Sequence, residues 1–269
     1  MSALTFTLRA EPDQRLDLSP LTPEKLAGKT LKEIAALELQ TTRRRVTAGD
    51  VFKILLGGRA EKLRFEGGSE RFDWLGHAMQ AGSIDVIGDA GAQTGRLMAG
   101  GQLLVRGCAG PYAASGLTGG RLEIGANAGD FLGAPAAGEM AGMAGGLVIV
   151  RGSAGRRAGE RMRRGVLIIE GSAGAWAGAR MVAGTLIVCG KAGRHPGALM
   201  QRGTIVLSHL PELLPAFADC GPQDLVITRL LASALAGDSA PAAALLSRRL
   251  RRYAGDMSQL GKGELLLPA

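Results

Sequence analysis

The chain has 269 residues, of which 46% are hydrophobic but only 4% aromatic, with 42 glycines and a formal net charge of +8. This allows a core of small and aliphatic side chains, and it excludes one organised by rings. No run of 18 apolar residues exists, the opening MSALTFTLRAEPDQRL lacks the apolar stretch of a signal peptide, and Cys108, Cys189 and Cys220 form neither a CxxC pair nor an even set; a membrane span and a disulfide framework are therefore not expected, and a cytoplasmic location is.

In chain order, the first predicted element is a strand from Leu4 to Leu8. A helix follows near Pro23 with Thr22 as its N-cap, and a second short helix runs from about Leu31 to Leu37. Val51 to Leu56 reads as an early, degenerate member of the repeat that follows.

That repeat dominates the chain. Met79, Met98, Leu117, Met143, Met162, Met181 and Met200 recur at steps of 19, 19, 26, 19, 19 and 19 residues. Gly82, Gly101, Gly120, Gly146, Gly165, Gly184 and Gly203 keep the same beat. Further glycine rows run from Gly91 to Gly193 and from Gly95 to Gly197, with Ala114 replacing one member. The irregular step is one insertion of seven residues between Gly129 and Gly146. Each unit carries an apolar triplet, such as Leu103-Leu104-Val105, Val148-Ile149-Val150 or Leu186-Ile187-Val188, flanked by glycine. Such triplets read as strands, and no 10–12-residue helical pattern fits between them.

Self-similarity of this kind means stacked, nearly identical units. The residues alone favour a coil of parallel rungs, each rising by one strand spacing of roughly 4.8 Å, so that about seven rungs make a rod of about 30 Å. Glycines occupy its corners, and the Met79-to-Met200 row points inward as a ladder of flexible apolar side chains. The ends need caps. Residues 1–60 form an N-terminal lead-in and cap, 61–207 the repeat body, and 208–269 a C-terminal closing segment. In that last segment a helix starts at Asp238 or Ser239, holds Pro241 in its first turn, and runs through Leu250 and Tyr253 to Gly255 with Arg248, Arg249, Arg251 and Arg252 on its face.

The pattern G-x-x-G-x-x-x-G-x-x-M-x-x-G, as in Gly152, Gly155, Gly159, Met162 and Gly165, resembles the glycine repeat of the C subunit of formylmethanofuran dehydrogenase and of the C-terminal domain of the glutamate synthase large subunit. The length and the ending Tyr253-Ala254-Gly255-Asp256 with Gly261-Lys262-Gly263-Glu264-Leu265-Leu266 resemble the stand-alone subunit. The resemblance implies an all-β, right-handed parallel β-helix of about seven rungs. It also implies a non-catalytic structural subunit of a formyltransferase/hydrolase complex in one-carbon metabolism and methylotrophy. There, formyl passes from formyl-tetrahydromethanopterin to a methanofuran-type carrier and is hydrolysed to formate. The expected partners are an amidohydrolase-like hydrolase subunit, a dehydrogenase-B-like subunit and a formyltransferase subunit. The alternative is the C subunit of a molybdenum or tungsten formylmethanofuran dehydrogenase.

Chemistry within the chain itself is not expected. His77, His195 and His209 lie at different phases of the repeat, and neither H-E-x-x-H nor H-x-H occurs, so no metal site is predicted. Cys108 and Cys189 read as small buried fillers, and Ser153 and Ser172 as turn residues. No G-K-[ST] follows the glycines, which removes the Walker reading. Net basicity attracts polyanions, but the few aromatic rings argue against nucleic acid.

Arginine is the exception. Arg151, Arg156, Arg157, Arg161, Arg163 and Arg164 crowd one repeat, followed by Arg180, Arg194 and Arg202. Stacked cations repel, and an anion relieves them. The carriers implied by the resemblance have glutamate-rich tails. Arg156, Arg157, Arg161, Arg180, Arg194 and Arg202 are accordingly the candidate carrier-contacting residues. The other readings are salt bridges to an acidic sister subunit, or a solvated face with Glu160 and Glu170 as local partners.

Overall fold

A computed structural model describes residues 3–40, 43–57 and 61–269; the segment boundary expected at residue 60 lies outside them. The lead-in holds β1 (Leu4–Leu8), β2 (Leu16–Asp17), α1 (Pro23–Leu26), α2 (Leu31–Ala35), β3 (Glu38–Leu39), β4 (Val46–Thr47), α3 (Ala48–Val51) and β5 (Phe52–Leu56). The repeat holds β6 (Lys62–Glu66), β7 (Phe72–Asp73), β8 (Ser83–Ile87), β9 (Gln102–Val105), β10 (Arg121–Ile124), β11 (Ala144–Val150), β12 (Arg164–Ile169), β13 (Thr185–Val188) and β14 (Arg202–Leu207). The chain closes with β15 (Ala218–Gln223), α4 (Val226–Leu235), α5 (Ala240–Leu246), β16 (Leu250–Gly255) and β17 (Lys262–Pro268).

The expected all-β, right-handed parallel β-helix is corrected by this arrangement. The long strands form one mixed, mostly parallel sheet of thirteen, ordered β15-β16-β17-β14-β13-β12-β11-β10-β9-β8-β6-β1-β5. β1 pairs antiparallel with β5 at one end, and β15 with β16 and β16 with β17 at the other. Between the triplets the described residues make no second ladder of strands. They make turns, tied by single parallel bridges from Ala90 to Ala109, Ala128, Ala154, Ala173 and Ala192. Periodicity read along the chain fixes which residues are in phase, but it cannot say how many faces of a repeat become strand.

Three local expectations change for similar reasons. Phe52–Leu56 is an antiparallel edge strand and not an early member of the repeat; that place belongs to β6, parallel to β8. The helix predicted to reach Gly255 stops at Leu246, because Leu250–Gly255 pairs with β17. The tail itself adds to the parallel array, with Gly203 opposite Gly263 and Ile205 opposite Leu265. At the other end Thr30 caps α2 with a box in which the Glu33 carboxylate accepts from Thr30 N–H at 2.7 Å.

The triplets are in register throughout, for example Leu122 with Leu103 and Val148, and Leu186 with Leu167 and Ile205. Their first and third residues point into one interior with the methionine row, and Met79, Met98, Leu117, Met143, Met162, Met181 and Met200 are fully buried there. The turns are stacked as tightly. Gln93, Tyr112, Phe131, Arg157, Trp176 and His195 all have φ near +60°, and each donates its backbone N–H to a carbonyl of the following turn, as Trp176 does to Arg194 at 3.0 Å. Left-handed backbone costs a non-glycine residue about 1 kcal/mol, which a net hydrogen bond of about 1 kcal/mol offsets. Polar side chains in phase add to this: Asn127 Oδ1 accepts from Ser153 N–H at 2.8 Å, and Ser153 Oγ from Ser172 N–H at 3.0 Å.

Close stacking leaves some positions no room for a side chain. A Cβ on Gly174 would stand 2.6 Å from the backbone nitrogen of Arg156, whereas one on Gly237 would meet nothing within 4 Å. Gly174→Ala is expected to cost about 2 kcal/mol or more in thermal or denaturant unfolding, and Gly237→Ala less than about 0.5 kcal/mol.

The second face of the sheet changes character along its length. The middle residue of the triplet is Asp85, Leu104 or Glu123 early, then Ile149, Ile168, Ile187 and Val206, which are fully buried. α4 and α5 cover that later half through Ala232, Leu235, Ala242, Leu245 and Leu246. An ionic network fixes the start of α5. Arg151 pairs with Glu123 at 2.7 Å and Glu170 at 2.6 Å, and donates to the Asp238 carbonyl at 2.9 Å. Arg121 joins Glu123 to Asp238, and Ser239, the N-cap of α5, donates to Glu170 at 2.7 Å. Burial opposes ionisation of Glu123, but Arg151 and Arg121 outweigh it and hold its carboxyl below the usual range. A depressed carboxyl contributes stability above its unfolded-state value, about pH 4.3, that is lost as pH falls through the folded value. Glu123→Gln should therefore lower the melting temperature at neutral pH by roughly 2–4 °C, with the gap to the parent narrowing as the pH falls below the ordinary glutamate range.

Candidate anion-binding surface

The structure divides the six arginines named as candidate carrier contacts. Arg157 and Arg180 converge on one carboxylate, that of Glu160, at 3.2 and 3.3 Å, and the Glu160 side chain is almost wholly buried. Arg180, one repeat step on from Arg161, thus has its charge partly offset from within by Glu160, which it shares with Arg157. Arg156 turns away to Asp130 at 2.9 Å and lies over the Phe131 ring at 5.9 Å from its centroid. Arg157 also lies over Trp176, again at 5.9 Å. Among the described residues the Arg161 guanidinium meets only the Met140 sulfur, at 3.4 Å, on the seven-residue insertion. The insertion is held by Glu139, which pairs with Arg96.

Arg194 is exposed, with no ion pair among the described residues. Arg202 lies elsewhere. It opens β14 and lines a groove of about 490 Å³ with Arg163, Arg164, Val182, Gln201 and Leu260. Among the described residues, these three arginines have no carboxylate partner and no acidic residue lines the groove. Arg163 and Arg164 were visible in the sequence as part of the crowded repeat. Their companionship with Arg202 was legible only by counting two repeat steps from Arg164.

The remaining polar groups assemble no reactive set. His77 is pushed toward its neutral form by burial, with nearby Lys25 and Arg96 adding to this. His195 stands 3.7 Å from Glu212 and edge-on to Trp176, and His209 shares a hydrogen bond with Ser208 at 2.8 Å. Among the described residues no three of His, Cys, Asp and Glu are placed to hold a metal ion. No described helix is long and apolar enough to cross a membrane. Cys108 and Cys189 are part-buried rather than fully enclosed, and Cys220 is exposed. Burial, with the Glu170 charge, pushes the Cys189 thiol up to about 11. Alkylation at pH 8 followed by peptide mass analysis should therefore modify Cys220 at least about tenfold faster than Cys189.

No family model matches the chain. It is 55% identical over 265 residues to the C subunit of the formyltransferase/hydrolase complex Fhc of Methylorubrum extorquens, covering 98% of this chain and 99% of that protein. It also superposes with a TM-score of 0.93 and 46% identity on a chain of the crystal structure of the formyltransferase/hydrolase complex (FhcABCD) from the same organism in complex with methylofuran, covering 98% of this chain and 99% of that one. Sequence and fold agree in defining a protein of the class of subunits of a multi-protein assembly. The chain belongs to the family of the C subunit of the formyltransferase/hydrolase complex.

Proposed function

We propose that this chain is the structural, non-catalytic subunit of a formyltransferase/hydrolase complex of one-carbon metabolism. In this reading formyl moves from formyl-tetrahydromethanopterin to a methanofuran-type carrier and leaves as formate, on formyltransferase and hydrolase subunits assembled with this chain and a dehydrogenase-B-like subunit. The observation that carries the proposal is the near full-length likeness to a C subunit of such a complex, together with the superposition on a chain of a complex that holds methylofuran. The interior supports it as well, because the methionine row and triplets fill it with apolar side chains. A lead-in of 1–60, a repeat body of 61–207 and a closing segment of 208–269 suit a platform for larger neighbours.

The carrier contact is proposed on the arginine-bearing turns. Arg161 and Arg194 offer uncommitted guanidinium groups there, while Arg156, Arg157 and Arg180 share theirs with Asp130 and Glu160; Arg202 contributes from the separate groove. A carboxylate-rich tail would exchange with these internal acids instead of meeting bare charge.

Affinity-tagged chain recovered from its native host should bring down formyltransferase and hydrolase subunits in fixed ratio, with formyl turnover confined to the assembly. Recovery of the chain alone, turnover by the lone polypeptide, or co-purifying molybdenum or tungsten would overturn the reading. Within the assembled complex, Arg161→Glu with Arg180→Glu should weaken carrier binding about tenfold or more. Unchanged affinity would remove the carrier contact from the turns.

A further inference from the structure

The groove at the start of β14 has a regular origin. The register sets Val166 against Thr185 and Thr185 against Thr204, so Arg164 on β12 and Arg202 on β14 lie in phase, with Ala183, just ahead of β13, at the same phase between them, and Lys262 lies opposite Arg202 on β17. Arg164 and Arg202 are thus two strand spacings apart, roughly 9.6 Å, and Lys262 is one further, roughly 4.8 Å. Before Arg164 that side of the array carries small residues, Ala81, Gly100 and Gly119 on the repeat beat and Ala144, which a register shift sets opposite Arg164. Cations therefore gather only at the C-terminal end of the array. Ala183 between two arginines leaves a trough, and Val182 and the half-exposed Leu260 give it apolar walls.

Many arginines elsewhere in the chain stand beside carboxylates, as Arg15, Arg106, Arg121, Arg151 and Arg252 do. Here, among the described residues, four cationic side chains, counting Lys262, do not. The groove floor is also closed to hydrogen bonding by the backbone. Arg163 N–H is donated to Met143 at 2.8 Å, Val182 N–H to Met162 at 2.8 Å, and Gln201 N–H to Met181 at 2.8 Å. A compact oxyanion such as phosphate is usually cradled by free backbone N–H groups, and these three offer none. What remains is a row of guanidinium forks that suit spaced carboxylates, walls that suit aliphatic stems, and one neutral amide, Gln201, that can pair with a peptide bond.

We propose that this groove docks an extended, acidic peptide segment of a partner protein in the assembly, with carboxylates bound in turn by Arg164, Arg202 and Lys262 and flanked by Arg163. The site is distinct from the turn arginines assigned to the carrier, apart from Arg202. Its occupant is a protein segment because the trough combines spaced charge with apolar wall and an amide.

The test uses the full-length chain and a fluorescently labelled peptide of alternating glutamate and alanine, followed by anisotropy at low salt. Saturable binding is expected, weakening steeply between about 50 and about 200 mM salt. Arg163→Gln, Arg164→Gln and Arg202→Gln combined should lower the affinity at least about tenfold, while Arg157→Gln with Arg180→Gln leaves it within about twofold. Thermal melting checks that both variants stay folded. Absence of saturable binding, equal affinity for parent and triple variant, or displacement of the peptide by inorganic phosphate at matching concentration would overturn the proposal. Co-purification of partners with the chain is read separately, so failure here leaves the assignment to the complex standing.

Discussion

Backbone stacked directly on backbone, in register from one repeat to the next, is the constraint on which the rest of this structure depends. It fills the sheet ladder, but it also governs the turns, where residues as large as Trp176 and Tyr112 accept left-handed backbone so that their N–H groups reach the following turn. Stacking this close forbids a side chain wherever one backbone lies under the next, and that is why glycine keeps the beat. It also places like residues over like. Apolar residues gain from this, as the buried methionine row does, and charged ones must find a counter-ion.

The arginines follow from that last point. Where a carboxylate falls in a neighbouring phase, the charge is absorbed internally: Glu160 serves Arg157 and Arg180, and Glu123 and Glu170 serve Arg151. Where none does, cations are left facing outward, at Arg194 and along the row of Arg164, Arg202 and Lys262. The same chain therefore holds two kinds of basic surface, one self-compensated and structural, the other open to an external anion. Net charge alone does not separate them.

Much of this was legible in the sequence, and what was not has definite causes. The 19-residue beat identified the parallel triplets and the inward methionines, because phase is a property of the chain itself. The resemblance carried by Gly152, Gly155, Gly159, Met162 and Gly165 led to the family to which the chain belongs. The closed all-β form did not survive, since strand formation on the other sides of a repeat depends on pairing partners that periodicity does not name. α4 went unseen, although the switch of the middle triplet residue from Asp85 and Glu123 to Ile149, Ile168 and Ile187 announces that something apolar must cover that face. Which arginines are already paired was legible only in part: Glu160 stood out as a local partner, but Asp130, which takes Arg156, lies a repeat earlier and was not matched to it.

Amide hydrogen exchange on the native protein tests the central claim most directly. If stacking in register orders turns as firmly as strands, the amides of Gln93, Tyr112, Arg157 and Trp176 will exchange as slowly as those of the triplets Leu103-Leu104-Val105 and Leu186-Ile187-Val188, since each is bonded to the next turn. Exchange of these turn amides at the rate of free loops, while the triplets remain protected, would contradict it.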